Sequence, residues 1–283
     1  MPELPEVETM CRGIAGIVGR RIAAATFPRS RMRPISIEPA AATLAQRLAG
    51  RTIAGVGRRG KRIVIELAAG AGDARRWLAI EPRMTGLMLL VEPPSAEHVR
   101  MVVEFAGRGP APLIFWDRRG LGTIRLLDDA GLDRACGPHR HGPDGLVVTG
   151  DDLAARLRHS RRAVKVALLD QRAVAGIGNI YAAEILFRCG LDPRSRCRRL
   201  GRDQWRRIAK ETRRVLAEAV RHEGSSIGDE TYRTADNRVG RFQKRHRVYG
   251  REGEPCTACG AEIVRIVQAQ RATFFCPTCQ RRV

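Results

Sequence analysis

Two Cys-x2-Cys pairs near the C-terminus, Cys256/Cys259 and Cys276/Cys279, constrain this chain more tightly than any other feature. Each pair can chelate from one tight turn. The 16 residues between Cys259 and Cys276 suit a β-hairpin that gathers four thiolates into a tetrahedral site. A redox dithiol, the competing reading, needs one pair and not two. With every ligand position filled by sulfur, the expectation is one structural Zn2+ per chain, holding up a hairpin too small to have its own core. Arg265 and Gln270-Arg271-Ala272 lie on that hairpin, placed to present basic side chains to phosphate.

The other four Cys (Cys11, Cys136, Cys189, Cys197) are scattered and read as ordinary core or surface residues. No apolar run reaches the roughly 18 residues needed to span a bilayer. The opening Met1-Pro2-Glu3-Leu4-Pro5-Glu6 is not a signal peptide. The expectation is therefore a cytoplasmic protein with no membrane partner, in which eight Cys would not form four disulfides.

Charge points to the partner. Lys plus Arg total 51 against 30 Asp plus Glu, a net charge of +21, so the chain attracts polyanions, with nucleic acid first and an anionic membrane surface second. Only four of the basic residues are Lys (Lys61, Lys165, Lys210, Lys244) in a chain rich in Ala, Gly and Arg. That bias can reflect genome composition, so no single Arg carries an argument.

The 283 residues exceed the usual single-domain size. After an opening helix with Val7, Cys11, Ile14 and Val18 on one face, residues 20–127 read as short strands separated by Gly/Pro turns. These include Arg62–Leu67, Trp77–Ile80, Val99–Phe105 and Leu113–Trp116, as in an antiparallel sandwich or barrel. Residues 136–150 have linker composition. Helical periods follow over Leu153–Leu157, Val164–Leu169, Ile180–Phe187 and Asp203–His222. Residues 224–250 are polar and aperiodic, as in a mobile loop. The fold class expected is α+β and multidomain: a catalytic β-sandwich over 1–135, a linker over 136–150, a helical domain with a covering loop over 151–249, and a zinc finger over 250–283.

Between Arg194 and Arg221 there are eleven Lys/Arg and three acids, a pattern equally explained by a solvated helix face. In Ala175-Gly176-Ile177-Gly178-Asn179-Ile180-Tyr181 two Gly allow close backbone approach to a ligand. Asn179 could cap the next helix, whose free amides favour an anion; a plain helix–turn–helix junction accounts for the pattern nearly as well. Removal of Met1 would leave Pro2 as a free secondary amine, and an α-amine titrates near neutrality. Such an amine can attack a sugar C1′, displace the base and leave an iminium, with Glu3 and Glu6 positioned to shuttle protons. On these residues alone the plainer reading is an acidic helix start complementing the dipole. Lys61 and Lys165, kept as Lys among so many Arg, suggest sites that need a compact, deprotonatable ammonium.

Taken together, the segments resemble the formamidopyrimidine-DNA glycosylases. The matching stretches are Met1–Thr9, Arg59-Gly60-Lys61, Arg83-Met84-Thr85-Gly86, Leu168–Gln171, Gly176–Ala182, Val248–Arg251 and Gln270–Cys276. The resemblance makes the Pro2 amine the nucleophile. It implies a β-sandwich, a helix–two-turn–helix module and a zinc-finger hairpin, with damaged double-stranded DNA in the cleft between domains. It implies excision of oxidised purines (8-oxoguanine, formamidopyrimidines) through Pro2, with Glu3 as the acid at the sugar ring oxygen. Nicking by β,δ-elimination follows, with Lys61 and Arg271 in proton-transfer or phosphate roles. Asn179, Lys165, His98 and Arg161-Arg162 fall where the family holds phosphates, Met84 matches its wedge, and Arg119 its reader of the orphaned base. The flipped base must leave the stack and the gap must be filled. A monomer without an obligatory protein partner is expected.

This chain also departs from the family. Asp117-Arg118-Arg119-Gly120-Leu121-Gly122 stands where relatives read Asp-Pro-Arg-Arg-Phe-Gly, so Leu121 replaces an aromatic wedge and one Arg is lost. Glu81-Pro82 replaces a His-Leu pair. The loop Ser225–Arg247 lacks the usual Lys, with Gly228 near that position. These changes bear on damage spectrum and opposite-base preference. The alternatives are an endonuclease VIII-like enzyme for oxidised pyrimidines, against which Leu4 and Val7-Glu8-Thr9 argue, and a non-catalytic DNA-binding homologue, against which retention of Pro2, Glu3, Lys61 and Arg271 argues.

Overall fold

Helix α1 (Leu4–Gly13) starts where Glu3 is extended and Glu6, three residues on, accepts from the Glu3 N–H at 2.8 Å, the backward half of a capping box. Pro5 lies in the first turn, where no amide hydrogen is required. Val7, Met10, Cys11 and Ile14 form the buried face. Val18, expected on that face, is 45% exposed. The helix ends at Gly13, and a 3-10 turn over Ala15–Ile17 turns Ile17 inward in its place.

This computed structural model describes residues 2–30, 33–69, 74–109, 111–228 and 231–283. They fall into two compact units, Met1–Gly137 with His222–Arg241, and Pro138–Arg221 with Phe242–Val283. In the first unit the chain runs through β1 (Ile22–Thr26), β2 (Ser36–Glu38), α2 (Ala41–Leu48), β3 (Ile53–Arg59), β4 (Arg62–Leu67), β5 (Arg76–Glu81), β6 (Gly86–Leu89), β7 (Val99–Phe105), β8 (Leu113–Asp117), β9 (Thr123–Leu127) and α3 (Asp129–Cys136). Two sheets form, ordered β1-β7-β8-β6 and β2-β9-β5-β4-β3. Pairing is antiparallel except at the edge, where β2 runs parallel to β9.

Alternation places the core between the sheets. On β4, Ile63, Ile65 and Leu67 are buried in the main cluster with Leu87, Leu89, Met101 and Phe115 of the other sheet and with Met10 and Ile14 of α1. Val64, on the opposite face of β4, packs instead with Leu132 and Cys136 of α3. The sheet is therefore covered on both sides where α3 crosses it, as continuous apolar strands require.

The aperiodic stretch read as a mobile loop is pinned. Over its first part, Ser225, Ser226, Tyr232, Thr234 and Ala235 are all buried. Ser226 Oγ donates to Tyr232 O at 2.6 Å and accepts from Gly240 N at 2.8 Å, and Leu90 N donates to Ala235 O at 3.1 Å. It lacks a period because polar side chains hold it and no repeating apolar face does.

In the second unit, residues 142–145 run beside 171–175, with Gly142 N donating to Gln171 O and Ala175 N to Pro143 O. Helices α4 (Gly150–Leu157), α5 (Val164–Leu168), α6 (Asn179–Arg188) and α7 (Arg202–Arg221) follow, α7 packing on α4 and α6. The expected helical periods thus appear as helices. The chain closes on β10 (Val264–Gln268) and β11 (Arg271–Phe275), joined by Ala269-Gln270 with φ of 46° and 61°. Two left-handed residues make the type I′ turn that matches hairpin twist.

Candidate functional site

In the first unit the structure buries Pro2 at the head of α1 and leaves Glu3 2% exposed. Glu6 ties this corner down. One carboxylate oxygen accepts from Glu3 N and the other from Ser225 N at 2.8 Å. Gly224 makes the second bond possible: its φ is +73°, and a side chain there would press on the Glu6 carboxylate. Tyr232 Oη lies 3.4 Å from Glu6 O. Burial first, and then the Glu6 charge, push its phenol well above the usual range. Ser225 and Tyr232 are thereby anchored to the helix that carries Pro2.

Lys61, half-buried, sits with Gly60 in the β3–β4 turn. Arg58 holds that turn to α1, donating from Nε to Glu8 Oε2 at 3.1 Å and from Nη1 to Gly60 O at 2.9 Å. Because Arg58 is nearly buried (7% side-chain exposure), removing Glu8 would leave its charge poorly compensated, which costs more than breaking a surface pair. The pairing of Glu8 with Arg58 was not read from sequence. The signal was available only as charge complementarity between Glu8 in one matching stretch and Arg58 just before the next.

Met84 stands 37% exposed on the turn between β5 and β6, and Arg83 within it has φ of 55°. Arg119 is exposed and Leu121 half-buried in the β8–β9 loop. Gly120 has φ of +60°, and a Cβ there would collide with the Arg33 carbonyl, so the Arg that relatives carry at this place would not fit this backbone unchanged. His98 is 8% exposed, edge-on to Trp116 at 5.4 Å, with Nε2 3.1 Å from Glu97 Oε1.

In the second unit α5, α6 and the hairpin converge on one buried ammonium. Lys165 is fully buried, and its Nζ donates to Asn179 Oδ1 at 2.5 Å, Thr273 Oγ1 at 2.8 Å and Ala272 O at 3.2 Å. Asn179 Nδ2 donates to Ala272 O at 3.0 Å. Asn179 does not cap α6 as expected. Gly178 is the N-cap and Asn179 the first helical residue, its amide engaged by Lys165 and the hairpin. Next to this knot, Arg271 is exposed at the start of β11. Arg161 is exposed, whereas Arg162 pairs with Asp170 at 3.0 Å.

Two further residues carry the local geometry. Gln171 spans the α5–α6 junction, accepting from Gly176 N at 2.9 Å and donating to Leu169 O and Ile177 O. Glu184, fully buried on α6, accepts from the N–H groups of Arg247, Val248 and Tyr249. It thereby fixes the chain entering the finger. Both lie in or beside matching stretches, but nothing local marks them as anchors.

The sulfurs of Cys256, Cys259, Cys276 and Cys279 all lie within 4.8 Å of one another, with Cys256···Cys279 at 3.9 Å and Cys259···Cys276 at 3.5 Å. Tetrahedral zinc with about 2.3 Å bonds separates its sulfurs by about 3.8 Å, so the four residues fit one structural zinc ion. The scattered thiols behave otherwise. Burial pushes Cys11 and Cys189 up to about 12 and Cys197 up to about 11, leaving them protonated and unreactive. Among the described residues no helix is long and apolar enough to cross a membrane.

Comparison with known proteins covers the chain. Residues 1–124 match the formamidopyrimidine-DNA glycosylase N-terminal domain, 142–231 the H2TH domain of the same glycosylases, and 253–282 the zinc finger found in FPG and IleRS. The chain is 42% identical to the formamidopyrimidine-DNA glycosylase of Chloroflexus aggregans, over 99% of this chain and 98% of that one. It is 40% identical to that of Solibacter usitatus over the whole of both. The Thermus thermophilus MutM (FPG) structure superposes with a TM-score of 0.84 at 38% identity, covering both chains fully. Lactococcus lactis Fpg in complex with abasic-site DNA gives 0.85 at 31% identity, over 99% of this chain and 100% of that one.

Proposed function

Since this chain belongs to the formamidopyrimidine-DNA glycosylase family, we propose that it excises oxidised purines from duplex DNA and then nicks the abasic strand, with Pro2 as nucleophile. The observation that carries the reading is the head of α1: Pro2 and Glu3 buried side by side and held by Glu6, in a chain that matches glycosylases end to end.

The neutral Pro2 nitrogen attacks C1′ of the lesion. The N-glycosidic pair leaves with the base, which takes up a proton, and the amine loses its own. Glu3 protonates the ring oxygen, the C1′–O bond breaks, and the nitrogen lone pair completes an iminium. Loss of a C2′ proton then expels the 3′ phosphate, and a second elimination expels the 5′ phosphate. Burial suits both groups, since a dry site strengthens every charge that develops in it. Lys61 and Arg271 serve phosphate or proton-transfer roles. Arg119, Met84 and Leu121 enter the duplex, while His98, Arg161, Lys165 and Asn179 shape or contact the phosphate track. For Lys165 and Asn179 the bonds already made favour shaping.

Double-stranded DNA with damaged bases is the partner, and the protein works as a cytoplasmic monomer. The experiment is borohydride trapping on duplexes carrying 8-oxoguanine or an oxidised pyrimidine. The reading expects a covalent adduct on the purine lesion first; trapping on the pyrimidine alone would transfer the chain to endonuclease VIII-like chemistry, and a gel shift without an adduct would make it a binder.

A further inference from the structure

The turn that carries Met84 and the loop that carries Arg119 leave adjacent antiparallel strands at paired positions, Gly86 opposite Asp117. One buried carboxylate joins them. Asp117, fully buried, accepts from Thr85 Oγ1 through one oxygen and from Gly122 N at 2.8 Å through the other. The Thr85 hydroxyl, 5% exposed, accepts in turn from Arg119 N at 3.0 Å, which also reaches Asp117 Oδ1 at 3.3 Å. One hydroxyl thus bonds both the strand end and the loop backbone.

The rest of the turn is fixed from its other side. Gly86 N donates to Pro82 O at 2.9 Å. Glu81 offers one oxygen to Arg62 and the other to Arg83, each at 3.1 Å. The loop is tied further by Arg118 Nη2, which donates to Thr231 Oγ1 at 3.1 Å, and by Arg100 Nε, which donates to Asp117 O at 3.0 Å, while Gly120-Leu121-Gly122 supplies a single side chain of any size. Its order comes from the polar network.

We propose that Thr85 and Asp117 are positioning residues that set the spacing between Met84 and Arg119, so that wedging out the damaged base and reading its partner occur as one event. This rests on the reading that those two side chains enter the duplex. Neither Thr85 nor Asp117 touches DNA in the proposal. They act through the backbone of the groups that do, and a bond between two buried groups holds a geometry better than exposed ones can.

The test is single-turnover excision of 8-oxoguanine opposite cytosine and opposite adenine by wild type, Thr85→Val, Thr85→Ser and Asp117→Asn. The readout is the ratio of the two rates, which is unaffected by a lowered folded fraction. Losing one such hydrogen bond corresponds to about 3–10-fold, so Thr85→Val is expected to bring the ratio about 3–10-fold closer to one. Thr85→Ser, which keeps the hydroxyl, should restore it. The double variant Thr85→Val/Asp117→Asn should move the ratio no further than Asp117→Asn alone, as coupled residues do. A Thr85→Val protein that is slower with both partners at the wild-type ratio would overturn the proposal, and so would a wild type indifferent to the partner base. A wild type that excises nothing from either duplex would sink the functional reading itself.

Discussion

Lys165 and Tyr232 show what single side chains do here. The Lys165 ammonium satisfies Asn179, Ala272 and Thr273 from inside the protein. Replacing it with Met takes that donor from Asn179 Oδ1 and the buried Thr273 Oγ1, while Ala272 O keeps Asn179 Nδ2, a loss of about 1–3 kcal/mol. Thermal melting of Lys165→Met should fall accordingly, and DNA affinity with it, as β11 loosens from the start of α6; an unchanged melting point would mean the knot is not a brace. Tyr232 sets a pH limit. Its folded pKa lies above its unfolded value of about 10, so the stability it lends is complete below that value and declines as pH rises toward the folded one. Alkaline titration should show a late tyrosinate by ultraviolet absorbance that Tyr232→Phe removes, together with faster hydrogen exchange over 222–241. Local reasoning misplaced Asn179 because capping assumes a neighbour, whereas its partner Ala272 lies 93 positions away. Glu6 was assigned proton shuttling, and its bond to Ser225, 219 positions on, has no local signature at all.

At the level of elements, periodic ones were legible and aperiodic ones were not. Helices α1, α6 and α7 declared themselves by buried residues at helical spacing, and the strands by alternation around Ile63, Ile65 and Leu67. Val18 was misassigned because the 3-10 turn after Gly13 breaks the period. The polar stretch after His222 was read as mobile because backbone and hydroxyl bonds at Ser226 and Ala235 hold it where a stripe of apolar residues would have shown. The zinc hairpin was the most legible element of all, because four sulfurs at those spacings have few other uses. The apolar cluster at its base is small, with Val248, Ile263 and Cys276 buried beside Ala183 of α6, so metal supplies much of its stability. Chelation should therefore unfold residues 250–283 while α7 and the β-sandwich persist, and should weaken DNA binding; circular dichroism and affinity measured before and after zinc restoration would show it. Full affinity in the stripped protein would exclude the finger from the interface.

For the whole molecule the governing quantity is the net charge of +21. Many Arg are paired with acids, as Arg58, Arg62, Arg162 and Arg188 are, so the excess of bases over acids, and not the total of 51 Lys and Arg, measures the pull on phosphate. Binding should still weaken steeply with salt, log Kobs falling linearly with log[salt] at about 0.9 per phosphate contacted. A flat dependence would deny that backbone phosphates dominate affinity. The central claim concerns one bond between this molecule and its substrate, and peptide mapping of the borohydride-reduced adduct by mass spectrometry tests it most directly. The account predicts that the deoxyribose remnant sits on the nitrogen of Pro2. Attachment at Lys61, or at any other residue, would contradict it.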